Sequence, residues 1–102
     1  MAISQQEKDK IKKCIVACLK DELEIQKVIV FGSFLWADNP NDIDVAVLQN
    51  SSESYLPLAM KYRKKIRIIS KELSVDIIPL RLGAFHCVMG DEISRGEVIF
   101  ER

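Results

Sequence analysis

The chain has 102 residues, 11.6 kDa, 48% hydrophobic and 29% charged side chains, the composition of one ordinary globular domain spanning residues 1–102, not of a disordered or fibrous chain. Fifteen Lys and Arg balance fifteen Asp and Glu, so the chain lacks the overall basic field that holds a protein on bulk nucleic acid, and nucleic acid is not an expected partner. No apolar run reaches the roughly 18 to 20 residues of a membrane span, and Met1 to Lys10 is polar, so the expectation is a cytoplasmic protein with no membrane contact.

Ser4-Gln5-Gln6-Glu7 matches a capping box, and Ile11, Cys14, Ile15, Cys18 and Leu19 follow at helical spacing, which predicts a first helix with one apolar face. Cys14 and Cys18 share that face and are expected to pack in the core; with Cys87 they make three cysteines without C-x-x-C spacing, so free thiols are expected. Val28-Ile29-Val30-Phe31 is a continuous apolar run ended by Gly32-Ser33, the pattern of a central strand buried on both faces. After an irregular stretch with the turn-forming Asp38-Asn39-Pro40-Asn41, Asp42 to Leu48 resumes a strand pattern. Ser51 to Leu73 reads as a second helix with Ala59, Tyr62, Ile66, Ile69 and Leu73 on its apolar side, provided Pro57 lies in its first turn. Val75 to Leu80 is a third strand, Phe85 to Arg95 is weakly helical, and Val98 to Glu101 is a fourth, short strand. The order α-β-β-α-β-α-β describes an α/β (α+β) chain with one layer of sheet and its helices.

Strand side chains alternate faces, so Asp42 and Asp44 point the same way, with Cα atoms about 6.5 to 7 Å apart. Two acids on an otherwise apolar strand repel each other and lose hydration unless a cation or a proton offsets them. Oxygen-only ligands suit a hard ion such as magnesium, which takes one or two carboxylates and completes its octahedron with water and phosphate oxygens. Asp76 lies between apolar neighbours in the third strand; if that strand pairs with the second, it can face the same pocket and complete the ligand count of a two-metal site. The alternative is plain: Asp42 caps a turn, Asp44 lies at an exposed strand edge and Asp76 is salt-bridged. Gly32 and Ser33 can likewise be only a turn, or a turn whose backbone amides and hydroxyl cradle phosphate. The basic run Lys61, Arg63, Lys64, Lys65, Arg67 and Lys71 reads as a solvated face, and His86 has no evident acid or nucleophile beside it in sequence.

Together Val28-Ile29-Val30-Phe31-Gly32-Ser33, Asp42-Ile43-Asp44-Val45-Ala46-Val47 and Val75-Asp76-Ile77-Ile78-Pro79 resemble the signature of the DNA polymerase beta-like nucleotidyltransferase superfamily, most closely its minimal nucleotidyltransferase family. The resemblance implies a small mixed sheet with helices mainly on one face, two Mg2+ ions, and transfer of a nucleoside monophosphate, AMP from ATP being the leading case, to an acceptor hydroxyl. It assigns the triphosphate to Gly32 and Ser33, both metals to Asp42 and Asp44, and the catalytic metal and acceptor proton to Asp76. It also implies a small helical HEPN-type protein as partner, in a toxin and antitoxin pair. The sequence departs from the pattern after Ser33, where Leu35-Trp36-Ala37 stands in place of the usual Ala-Arg-Gly and no basic residue follows before Asp42. Trp36 there suits either an apolar contact or internal packing. The rival reading is a binding module of the same fold that neutralises a partner by occlusion.

Overall fold

A computed structural model describes residues 3–67, 73–81 and 93–102 of the chain. Helix α1 spans Gln5–Leu19, and the Ser4 hydroxyl accepts the Glu7 backbone N–H at 3.2 Å, as the capping box requires. Ile15 and Leu19 are fully buried, and Ile11 and Cys18 pack partly against the same core. Cys14, expected in that core, is instead exposed. The buried stripe runs through Lys8, Ile15 and Leu19, and Cys14 lies about 100° round the helix from Ile15, off the stripe. Burial, followed by the nearby Cys14, pushes the Cys18 thiol up, with Lys65 acting weakly against them.

Strand β1 (Ile25–Phe31) is interior, as its unbroken apolar run predicts, and pairs antiparallel with β2 (Asp42–Gln49) and with β4 (Glu97–Glu101). Strand β3 (Ser74–Arg81) adds parallel to β2, giving a mixed four-stranded sheet in the order β3-β2-β1-β4. Parallel strands need a crossover, which helix α2 (Tyr55–Lys65) supplies. Pro57 is in its first turn, where a missing N–H costs no intrahelical bond.

Helix α2 is shorter than the Ser51 to Leu73 expectation at both ends. Ser54 is its extended N-cap, and Ile66 leaves the helical region at φ −102°, ψ 19°. Leu73 keeps its place in the apolar layer, but from the entry to β3. Ile69, Lys71, His86 and Cys87 lie outside the described residues, as does most of the helix expected over Phe85 to Arg95; Ile93 and Ser94 are helical.

Alternation sorts the strand residues onto two faces. Val28, Val30, Ile43, Val45, Val47, Val75 and Ile77 join Ile15 and Leu19 of α1 and Leu58, Tyr62 and Ile66 in one core. Ile29, Phe31, Ala46, Leu48 and Ile93 form a second, smaller cluster, with Ile78 and Leu80 packed against it. Gly96 lets the Ile93 turn close onto β1: a Cβ there would lie 2.6 Å from the Val30 carbonyl oxygen and 2.9 Å from Phe31 Cβ.

The turn between α1 and β1 is tied to α2 by charge. Lys61 Nζ lies 2.9 Å from Glu22 and 3.0 Å from Glu24, Lys65 lies 2.9 Å from Glu22, and the buried Tyr62 hydroxyl donates to Glu24 at 3.0 Å. Two members of the basic run are thus structural ties. Burial pushes the Glu24 carboxyl up, but its backbone hydrogen bond, Lys61 and Tyr62 outweigh that and hold it below the ordinary carboxylate value. The Tyr62 hydroxyl is pushed far up, first by burial and then by its bond to Glu24.

Candidate active site

The register decides where the acids stand. Asp44 pairs with Phe31 of β1 on one side and with Asp76 of β3 on the other, so Asp44 and Asp76 sit level on adjacent parallel strands about 4.8 Å apart. Asp42, one pleat nearer the start of β2, pairs with Ser74. All three acids alternate with core residues of the helix-covered face, Ile43, Val45, Val75 and Ile77, and therefore belong to the face that carries the smaller cluster. Asp44 is half-buried, while Asp42 and Asp76 are exposed. The Asn41 carbonyl accepts the Ser74 backbone N–H at 3.4 Å and keeps the starts of β2 and β3 level.

At the end of β1, Gly32 has φ 83° and ψ −161°, a backbone region that is essentially restricted to glycine. A Cβ at this position would lie 2.6 Å from Asp44 Oδ2, so the missing side chain also leaves the space that the carboxylate fills. The chain then enters a single 3-10 turn, Ser33–Leu35, in which Leu35 N–H donates to the Gly32 carbonyl and Trp36 and Ala37 N–H donate to the Ser33 carbonyl. The amides of Ser33 and Phe34 precede these donors, at the head of the turn.

The structure thus places all five sequence-predicted residues at one end of the sheet: Gly32 and Ser33 where β1 ends, Asp42 and Asp44 where β2 begins, and Asp76 beside Asp44. Among the described residues, no three of His, Cys, Asp and Glu are drawn together tightly enough to enclose an ion by themselves. A hard divalent ion fits the donor set nonetheless, because every donor is a carboxylate oxygen and magnesium needs only one or two of them beside phosphate oxygens and water.

Trp36 is 78% exposed, which excludes the packing alternative and leaves a bare aromatic on the loop between β1 and β2. One feature near the site has no signal in the sequence. Lys8, on the core stripe of α1, is 6% exposed and reaches this same loop. A broad open concavity of about 780 Å³ lies elsewhere, along α2 from Pro57 to Arg67, and its described lining includes no carboxylate.

The profile of the family described as Polymerase beta, Nucleotidyltransferase matches residues 12–102, which include the Gly-Ser turn and all three acids. The chain belongs to the polymerase beta nucleotidyltransferase family. Its fold is also that of solved toxin and antitoxin complexes. The complex of a tri-AMPylated Shewanella oneidensis HEPN toxin with MNT antitoxin aligns at TM-score 0.69 and 21% identity, over 93% of this chain and 73% of that one. The toxin-antitoxin MntA-HepT aligns at TM-score 0.66 and 20% identity, over 92% and 73%. A toxin-antitoxin structure with AMP-PNP aligns at TM-score 0.70 and 22% identity, over 89% and 73%. A search of curated proteins returned no match.

Proposed function

We propose that this nucleotidyltransferase domain transfers AMP from ATP to a hydroxyl of a small helical HEPN-type partner in the cytoplasm, as the antitoxin of a toxin and antitoxin pair. The observation that carries the proposal is the row Phe31, Asp44, Asp76 across three strands, with Gly32 closing over Asp44 at the end of the first. The partner class is supported by the fold shared with a chain of the complex of a HEPN toxin with MNT antitoxin, and the adenylyl group by the AMPylated state of that toxin and by the AMP-PNP in another toxin-antitoxin structure.

In this reading the amides at the head of the Ser33–Leu35 turn and the Ser33 hydroxyl bind the triphosphate. Asp42 and Asp44 would hold two Mg2+ ions, with Asp76 as a further ligand; the ions supply charge neutralisation at the reacting phosphate. Asp76 stands level with Asp44 on the open side of the pair and takes the proton of the acceptor hydroxyl. The acceptor oxygen forms a bond to the α-phosphorus as the bond to the β-phosphate bridge breaks, and pyrophosphate leaves. No basic residue lies between Gly32 and Asn41, so charge near the triphosphate must come largely from the cations.

The rival, an occluding module without chemistry, is favoured by exposed Trp36 and by the absence of an Arg in the turn. Intact-mass spectrometry of the partner after incubation with ATP and Mg2+ separates the two. The proposal expects a gain of one or more AMP units with the wild-type protein and at least about a hundredfold slower gain with Asp44→Asn. Equal neutralisation of the partner by both proteins, with no mass gain, would favour the occluding module.

A further inference from the structure

Among the described residues, Lys8 is the only charged side chain buried to within 6% of full burial, and it lies two helical turns before Ile15 on the stripe that α1 presents to the core. Its ammonium donates to the Ala37 carbonyl at 2.7 Å and stands 5.6 Å from the centroid of the Phe34 ring, which is itself fully buried. Ala37 is also held from the other side, because its own N–H donates to the Ser33 carbonyl at 2.8 Å. A second tie from the same end of α1 runs from Ile3 N–H to the Asp38 carbonyl at 2.9 Å. The loop that follows Gly32 is therefore fastened to the first turn of α1 and to the residue before its N-cap, and one of the two fasteners is a cation.

Packing alone does not call for a cation here. Taking an ammonium out of water is costly. Methionine would fill the same stripe without that cost. What methionine would not supply is the charge-assisted bond to Ala37 and positive charge beneath a turn whose sequence, Gly32 to Asn41, contains Asp38 and no Lys or Arg.

We infer that Lys8 is a positioning residue for nucleotide binding: it holds the Gly32 to Ala37 turn in the shape that receives a triphosphate and adds, from behind the turn, the positive charge the turn lacks. The inference rests on the nucleotidyltransfer reading and extends it to a residue on α1, outside the strand motifs.

The test uses the full chain, titrated with AMP-PNP in the presence of Mg2+, as wild type, Lys8→Met and Lys8→Arg. Lys8→Met should weaken nucleotide affinity about tenfold or more, measured below its own melting temperature so that the loss is read on folded protein, and Lys8→Arg should recover most of the affinity. Amide exchange gives an independent readout: Leu35, Trp36 and Ala37 should exchange faster in Lys8→Met, with the amides of β2 unchanged. Should Lys8→Met fail to fold, Lys8→Gln, which keeps a donor but no charge, takes its place with the same expectation for affinity. Wild-type affinity in the charge-removing variant would overturn the inference and leave the nucleotide reading standing. A wild-type protein that binds no AMP-PNP with Mg2+ would overturn both.

Discussion

On the face of the sheet under α1 and α2, the strands present an unbroken apolar layer from Val28 and Val30 through Ile43, Val45 and Val47 to Val75 and Ile77. The other face is divided: Ile29, Phe31, Ala46 and Leu48 cluster together, and toward the start of β2 and β3 the same rows turn acidic at Asp42, Asp44 and Asp76. One strand serves both purposes because its side chains alternate, so a residue needed for the core and a residue offered for chemistry can be sequence neighbours. The stability of the domain thus rests largely on one face, and the other can carry like charges side by side.

Ile43 and Asp44 give the sharpest contrast, being adjacent in β2 and on opposite faces. Ile43 is fully buried, and Ile43→Ala should cost about 2 to 5 kcal/mol, read by chemical denaturation. An alanine that costs less than about 1 kcal/mol would show that the helix-covered face is not the main source of stability.

Gly32→Ala tests the junction between the faces. The new Cβ meets Asp44 Oδ2 at 2.6 Å, in a backbone conformation that only glycine adopts readily, so stability should fall by about 1 to 3 kcal/mol. Nucleotide binding should be lost in the remaining folded protein, which titration with AMP-PNP and Mg2+ below the new melting temperature can show. Retained affinity would mean that the turn is not the phosphate cradle.

A smaller effect is expected at the charge knot on the helix-covered side. Glu24→Gln keeps an acceptor for the Tyr62 hydroxyl but removes the charge paired with Lys61, at a cost of about 1 kcal/mol at neutral pH. Because the Glu24 carboxyl is held below its ordinary value of 4.5 in the folded protein, the stability it contributes is present above that pH and is lost as pH falls below it. Denaturation curves of wild type and variant should therefore converge in acid. A gap that persists below the lowered carboxylate range would point to packing instead of charge.

Much of this division is legible in the sequence. The capping box at Ser4, the central strand ended by Gly32 and the parity of Asp42, Asp44 and Asp76 are local patterns, and each corresponds to the element expected from it. The pairing of Asp44 with Asp76 is not specified by local pattern, since it depends on a parallel crossover between residues far apart in the chain. The limits of α2 and the exposure of Cys14 are not legible in the sequence for a related reason. Periodicity marks which residues are apolar, whereas tertiary packing selects where a helix stops and which side of a wide apolar stripe meets the sheet. Lys8 was illegible as a buried residue because its partner, the Ala37 carbonyl, belongs to a loop whose path no local pattern specifies.

The most direct measurement is thermal unfolding of the wild type and Asp44→Asn, each with and without Mg2+ and AMP-PNP. If the acidic end of the far face exists to hold cations and nucleotide, removing one of its charges should abolish the effect of ligand on the melting temperature. Nucleotide at about 100 times its dissociation constant should stabilise the wild type by about 2.7 kcal/mol, raising its melting temperature by several degrees, and should leave the variant unmoved. A variant that gains the same increment from Mg2+ and AMP-PNP would contradict the account.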